Sequence, residues 1–446
     1  MSAPDGGRTR VLRTDYLARV EGEGAMYVRI DGREVSDVKL RIYEPPRFFE
    51  ALLRGRAFTE VPDITARICG ICPIAYQISS VRAMEDACGV AIDSGPLREL
   101  RRLIYCGEWI ESHSLHVFML AAPDFLGCES AITLAQKDRA AVERGLRLRK
   151  AGNTIITLLG GRSVHPVSVC IGGFTRAPRR AELAGLRADL ERVREDARDA
   201  VRWVSSFDLH DRDLDIEFVS LRQPGEYPMN EGRLVSSKGI DSAQDEFPDV
   251  FAEHQVPYSN ALHATVRGRG PYLLGPLARV NLNFDELGPA VTEVARETRV
   301  AWPSRNPSVS IVARTLEIFY AVEEAIRIID TYEEPAAPAA TWAPRAGVGR
   351  AVTEAPRGSL YHAYETDERG MIRSAHIVPP TAQNQAQIED DLRLLAPHLL
   401  SRSNDEARRS CESAIRDYDP CISCSTHFLT LEIECRPAPE DACEPS

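Results

Sequence analysis

Eleven cysteines are spread through 446 residues, and four of them form two CxxC pairs near opposite ends of the chain. The first pair lies in Arg67-Ile-Cys69-Gly-Ile-Cys72-Pro73, the second in Asp419-Pro420-Cys421-Ile-Ser-Cys424-Ser-Thr-His427. Such a spacing can aim both sulfurs of a pair at one ion. Thiolates select soft or borderline metals such as zinc, copper(I), iron–sulfur iron or nickel. A single CxxC is equally well a structural zinc half-site or a buried pair of thiols. Zinc ribbons, however, keep their two pairs inside one small module, about 15–20 residues apart. Here nearly the whole chain separates them, so a shared metal would sit at the centre of the fold. Cys88, Cys106, Cys128, Cys170 and Cys411 lack paired spacing and read as core residues.

The elements that must bring the pairs together are mostly helical. The chain opens on strands, ARVEGEGAMYVRI and VSDVKLRIYE about a turn at Asp31-Gly32, followed by a short helix through PRFFEALLRG. After the first CxxC, apolar residues recur at helical spacing over about 97–121, 131–160, 180–205, 287–303 and 315–333. EEPAAPAATWAPR then reads as an extended loop. GSLYHAYE and MIRSAHIV flank DERG like a hairpin, and PPTAQN leads into the helical AQIEDDLRLLAPHLL. The fold class expected is mainly α with small β-sheets at the edges, an α+β arrangement without internal repeats.

Composition narrows the function classes. The chain is 43% hydrophobic and 27% charged, and no uncharged apolar run approaches the roughly 18 residues that a membrane helix needs. No membrane anchor of its own is expected. The net charge of −12 opposes a phosphate backbone, which excludes nucleic acid as a favoured partner. The polar start MSAPDGGRTRVLRTDY lacks the apolar centre of a secretory signal, so a cytoplasmic location is expected. In that compartment cysteines stay reduced, which favours metal ligation or burial over disulfides.

Beyond their cysteines, both motifs resemble the nickel–iron hydrogenase large subunit. That family carries its first pair in R-x-C-G-x-C and its second in D-P-C-x-x-C-x-x-H near the chain's end. Other segments match in the family's order: RVEGEG at 19–24, FFEALLRGR at 48–56, GGRSVHP at 160–166, APRG at 355–358 and PPTAQN at 379–384. The likeness spans nearly the full length and implies one large-subunit domain over residues 1–427.

By that resemblance Cys69 and Cys421 are terminal nickel ligands, while Cys72 and Cys424 bridge nickel to an iron that carries cyanide and carbon monoxide. The reaction implied is reversible heterolytic cleavage of H2. It needs a soft metal to take the electron pair and a nearby base to take the proton, and thiolates supply that base. Four thiolates also leave buried negative charge that requires a cation. Arg357 in APRG resembles that cation, which in the family lies over the centre, touches a cyanide and has been proposed as the proton acceptor. Thr381 resembles the hydroxyl donor to the other cyanide. Glu21 resembles the first proton relay beside a terminal thiolate, and carboxylates suit the task because burial raises their pKa toward neutrality. Glu50 and His427 match the ligands of a magnesium or iron ion that ties the C-terminus into the fold. Taken alone, Arg357 and Thr381 read as turn or surface residues, and Glu21 as a solvated strand residue.

Some positions depart from the family. Tyr76 stands four after Cys72, where many members carry a histidine that bonds a bridging sulfur. Ser112 and Glu23 replace an acid and a histidine found in relatives. His113 and His116, three apart on one helix, invite a metal reading, but the resemblance assigns His116 and His165 to buried polar support. CPIAYQ, with Pro73, resembles the cytoplasmic, pyridine-nucleotide-linked or sulfhydrogenase branch. That branch implies an iron–sulfur small subunit, flavin and NAD(P)-binding subunits and further iron–sulfur subunits as partners. F420-linked hydrogenases are the nearest alternative. A complex-I-like subunit, or a protein with a structural four-thiolate zinc site, is the non-catalytic one. Residues 428–446, FLTLEIECRPAPEDACEPS, resemble the tail that a maturation endopeptidase removes after nickel insertion, although LTLEIEC also alternates like a permanent strand. Cys435 and Cys443 lie in that tail.

Overall fold

Apolar residues at helical spacing become the long helices Pro96–Leu115, Arg139–Gly160, Arg180–Ser205 and Ser310–Asp330, which pack on one another as the body of the protein. The computed structural model describes residues 9–32, 34–44, 47–209 and 212–426. Asp138 divides the expected 131–160 stretch by capping the second part, its carboxylate accepting the Ala141 amide at 3.0 Å. The stretch at 287–303 is shorter than its periodicity suggested, with a helix over Pro289–Glu297. The Pro96 and Arg139 helices approach backbone to backbone at Gly107 and Gly152. A Cβ on Gly152 would stand 2.5 Å from the Gly107 carbonyl oxygen.

The helix Pro73–Cys88 is buried on nearly every side. Proline at its first position lacks the amide hydrogen that a helix start cannot use, and Gly89 ends it in the left-handed region at φ 68°. It lies against a three-stranded antiparallel sheet, Gly347–Ala355, Gly358–Thr366 and Ile372–Val378. The last two strands are the hairpin expected about DERG. The first strand was not foreseen. Its register pairs Ala355 with Gly358, which leaves Pro356 and Arg357 as a two-residue turn.

The amino-terminal sheet contains the expected strands Gly24–Asp31 and Glu34–Ile42, joined by an unforeseen Thr9–Thr14 that turns Leu12 and Thr14 inward. Small antiparallel pairings at 219–242 and 251–266 were also unmarked in the sequence. One large apolar cluster runs through the helices and reaches Cys69, Cys72, Cys421 and Cys424. A smaller one lies under the sheets around Phe247, Phe251, Tyr272 and Tyr361. Among the described residues no helix is long and apolar enough to cross a membrane.

Candidate metal centre

The first cysteine pair is delivered by a helix start. Cys72 is the cap residue of Pro73–Cys88, and the amides of Ile71 and Cys72 both donate to Cys69 Sγ at 3.3 Å. Behind them Glu108, fully buried on the Pro96 helix, accepts the amides of Ile74 at 2.6 Å and Ala75 at 3.0 Å. A carboxylate at a helix N-terminus satisfies free amides and opposes the helix dipole. Burial nonetheless pushes the Glu108 pKa well above the usual carboxylate range, despite those two donors.

The second pair is delivered by contacts from distant parts of the chain. Asp419 adopts a left-handed backbone at φ 52°, a conformation Asp tolerates, and Pro420 follows it. The Cys421 amide donates to Thr381 Oγ1 at 3.0 Å. The Ile422 amide donates to the Glu21 carbonyl at 2.9 Å, and the Ser423 amide to Glu21 Oε2 at 3.0 Å. Arg47 ties both cysteine segments together, donating to the Ile68 carbonyl at 2.7 Å and to the Ser423 carbonyl.

The outcome is a group of four buried sulfurs whose atoms all lie within 4.8 Å of one another. Cys421 and Cys424 stand 2.8 Å apart, Cys69 and Cys421 3.5 Å, and Cys72 and Cys424 4.0 Å. These separations exceed the roughly 2.0 Å of a disulfide, and all four are free thiols. Hydrogen bonds from Cys421, Cys424 and Cys72 hold Cys69 well below the ordinary thiol pKa. Cys421 is pushed well up by its thiol neighbours, Cys424 first, and Cys424 is pushed up by burial. One thiolate is thus tolerated at the expense of the others. Four together require a cation.

Two buried groups face this cluster with unused hydrogen-bonding capacity. Arg357, 3% exposed, donates through Nε to the Asp419 carbonyl at 2.9 Å and through Nη2 to Asp419 Oδ1 at 3.3 Å. Its Nη1 has no hydrogen-bond partner among the described residues. Burial works against its charge, but Asp419 and the thiols of Cys421, Cys72 and Cys69 outweigh it and hold the pKa well above the ordinary value. The Tyr76 hydroxyl is the other, buried beside the thiols of Cys424 and Cys72 and making no full hydrogen bond among the described residues. Four sulfurs, an uncommitted guanidinium N–H and a dry surround fit a soft metal that carries anionic ligands. Glu21, half-buried, completes the site with Oε2 3.2 Å from Cys421 Sγ.

The remaining expected residues that the structure describes are not members of the four-sulfur group. Glu50, buried on the helix Phe49–Leu53, accepts the Ile377 amide at 2.7 Å and is outside the four-residue group. His427 and the tail 428–446 lie outside the described residues. Glu23 is exposed. His113 sits 2.9 Å from Glu317 and is pushed down to about 4 by burial, while His116 meets the Arg416 carbonyl at 2.8 Å and is pushed down to about 3. His165 Nδ1 lies 2.8 Å from the Ala66 carbonyl. The Ser112 hydroxyl is buried and unpaired among the described residues. Sequence reasoning missed Asp419, Arg47 and Glu108 as supports. Asp419 left a signal in the D-P-C of the second motif, and Glu108 one as a lone carboxylate inside the apolar stripe LIYCGEWI.

Comparison with known proteins agrees with this geometry. The family model described as nickel-dependent hydrogenase matches residues 47–146 and 289–427. Sulfhydrogenase 1 subunit alpha of Pyrococcus furiosus is 31% identical, over 94% of this chain and 98% of its own length. NAD-reducing hydrogenase HoxS subunit beta of Cupriavidus necator is 28% identical, over 94% of this chain and 95% of its own. The solved structure of an NAD+-reducing [NiFe]-hydrogenase in the H2-reduced state superposes with a TM-score of 0.87 at 26% identity, covering 94% of this chain and 99% of that one.

Proposed function

The chain belongs to the nickel-dependent hydrogenase family, as a catalytic large subunit of its sulfhydrogenase and NAD-reducing branch, and from that premise we propose that it cleaves H2 reversibly into two protons and two electrons. The observation that carries the reading is the group of four buried sulfurs within 4.8 Å, faced by a guanidinium with one nitrogen unpaired among the described residues. Cys69 and Cys421 would hold nickel as terminal ligands, and Cys72 and Cys424 would share it with an iron bearing cyanide and carbon monoxide. Bound there, the two metals would polarise dihydrogen and accept the electron pair of its bond.

The chain's own groups manage charge and proton. A proton received at Cys421 Sγ has Glu21 Oε2 3.2 Å away, so it passes outward along an existing contact. The Ser423 amide, donating to that same oxygen, fixes its direction. Arg357, whose charge the surrounding thiols and Asp419 favour, would offset the thiolates and offer Nη1 to an anionic ligand of the bound metals. Thr381 uses its oxygen for the Cys421 amide, and its hydroxyl hydrogen would remain available to a second cyanide. Burial of all four sulfurs keeps bulk water from competing.

Electrons leave through partners. Among the described residues only the four site cysteines group as a metal-binding set, which favours an iron–sulfur small subunit as the immediate acceptor. The NAD-reducing relative favours NAD(P) as the acceptor beyond it; flavin-carrying partners and a cytoplasmic location rest on the sequence resemblance alone. Glu50 and His427 would hold a magnesium or iron ion, and a maturation endopeptidase would remove 428–446 to leave 1–427 as the domain.

Infrared spectroscopy of the enzyme purified from its native host with its partners, with nickel and iron analysis, tests the reading. Bands of bound carbon monoxide and cyanide with equimolar nickel are expected, abolished by Cys424→Ala. A mature preparation that held zinc and lacked those bands would sink it.

A further inference from the structure

Arg357 is one of two residues in a tight turn, and such a turn does not by itself dictate where a long side chain rests. What lies beneath the turn does. The helix Pro276–Asn283 starts at Gly275 and carries Arg279 in its first turn, fully buried. Arg279 Nη1 donates to the Ala355 carbonyl at 2.8 Å and Nη2 to the Pro356 carbonyl at 2.9 Å, the two carbonyls immediately before Arg357. Its other three N–H groups are taken by carboxylates. Nε and Nη2 reach the two oxygens of Glu317 at 2.7 Å each, and Nη1 reaches Glu354 Oε2 at 3.0 Å. A guanidinium has five N–H donors, and all five are engaged.

The surround locks this arrangement further. The Arg279 guanidinium lies 4.4 Å from the centroid of the Trp109 ring, and Trp109 Nε1 donates to the Glu354 carbonyl at 3.0 Å. The Tyr227 hydroxyl donates to Glu317 Oε1 at 2.7 Å, and the Leu221 amide and Ser359 hydroxyl donate to Glu354 Oε1 at 2.7 and 2.8 Å. Gly275 lets the two backbones touch, since a Cβ there would stand 2.9 Å from the Arg357 carbonyl oxygen. Stability alone does not account for such a cluster. Buried ion pairs replaced by apolar groups of equal volume are often no less stable, so three dry charges ask for another use. The contact with both carbonyls ahead of Arg357 supplies one.

We propose that Arg279, clamped by Glu317 and Glu354, is a positioning residue that sets where Arg357 stands over the four sulfurs. The proposal rests on the reading of Arg357 as the cation of the centre. Lysine at 279 would keep the charge but, as a compact ammonium, could not bridge both carboxylates and both carbonyls.

The test uses the assembled enzyme from its native host, as Arg279→Lys, Arg357→Lys and the double variant. Metal content, H2 turnover and the cyanide and carbon monoxide infrared bands are the readouts. Arg279→Lys is expected to retain its metals, lose roughly tenfold in turnover, move the cyanide bands as Arg357→Lys does, and add nothing in the double variant. Bands unmoved by Arg279→Lys but moved by Arg357→Lys, or losses that multiply in the double variant, would overturn the positioning role alone. Should Arg357→Lys itself move neither bands nor turnover, the role given to Arg357 falls and this proposal falls with it. If Arg279→Lys does not assemble, Glu354→Gln loosens the same clamp at equal size. A smaller shift in the same direction is then expected, and unmoved bands would overturn the proposal.

Discussion

The two cysteine pairs present equivalent sulfurs on unlike supports. Cys69 and Cys72 are fixed by local structure, since Cys72 caps a sixteen-residue buried helix and two amides of the same segment point at Cys69. Cys421 and Cys424 sit in a short turn whose position depends on Glu21, Arg47, Arg357 and Thr381, all remote in sequence. Helical contacts form locally, while contacts across 40 to 402 residues carry a loop-closure cost and depend on the rest of the fold. The first half of the centre is therefore a preformed half-site. The second half is the part that the finished fold brings in.

The largest effect that would sharpen this contrast is expected from Asp419. Its carboxylate pairs with Arg357 and its backbone is left-handed, so Asp419→Ala strands a buried cation and strains a β-carbon at once. Losing one partner of a buried pair costs about 3–5 kcal/mol, and alanine in that conformation adds about 1–2 kcal/mol. Asp419→Asn should spare the second cost. The denaturant concentration at which nickel leaves the enzyme measures both, and equal losses for Ala and Asn would show that the backbone conformation contributes nothing.

Glu21 contributes to the second half twice, through its main-chain carbonyl and through its carboxylate. Glu21→Gln keeps the first contribution and an oxygen for the Ser423 amide, but cannot carry a proton. Turnover should fall about a hundred- to ten-thousandfold, with nickel content and infrared bands unchanged. Loss of nickel along with turnover would mean that the side chain is a support rather than a relay.

The sequence made the first half of the site far easier to read than the second. A CxxC followed by proline and an apolar helical run announces its own geometry, because helix starts obey local rules. The second CxxC was visible as a motif, and Glu21 and Thr381 stood out beside it only through the family resemblance, while their contacts and those of Asp419 and Arg47 follow no periodicity. Arg279 was invisible for the same reason. It sits inside an unremarkable PLARV segment, and only the sheet register that turns the chain at Pro356 and Arg357 gives it carbonyls to hold. The long helices were legible from apolar spacing. The strand Gly347–Ala355 was not, because from Ala351 onward burial on both faces removed the alternation that marks a half-exposed strand.

A weaker perturbation tests the preformed half. Glu108→Gln retains one acceptor for the Ile74 and Ala75 amides and leaves the other amide short, at a cost of about 1–3 kcal/mol. Amide exchange over 73–77 should quicken while nickel content holds. If nickel is lost as readily as in Asp419→Ala, the first pair is no more self-supporting than the second, and the contrast between them breaks.

The smallest effect is expected at Thr381, where one hydroxyl oxygen accepts the Cys421 amide. Thr381→Val keeps the shape and removes the acceptor, leaving a buried N–H unpaired at about 1–2 kcal/mol. Thr381→Ser restores it. Because the loss falls on one bond of a turn held by several others and on one proposed cyanide contact, exchange of the Cys421 amide should quicken while 73–77 are untouched. That separation would identify the second half as a set of independent tethers. Exchange quickening at both halves together would instead mean that the four sulfurs are mechanically one unit, with Arg47, bonded to both segments, as the group that couples them.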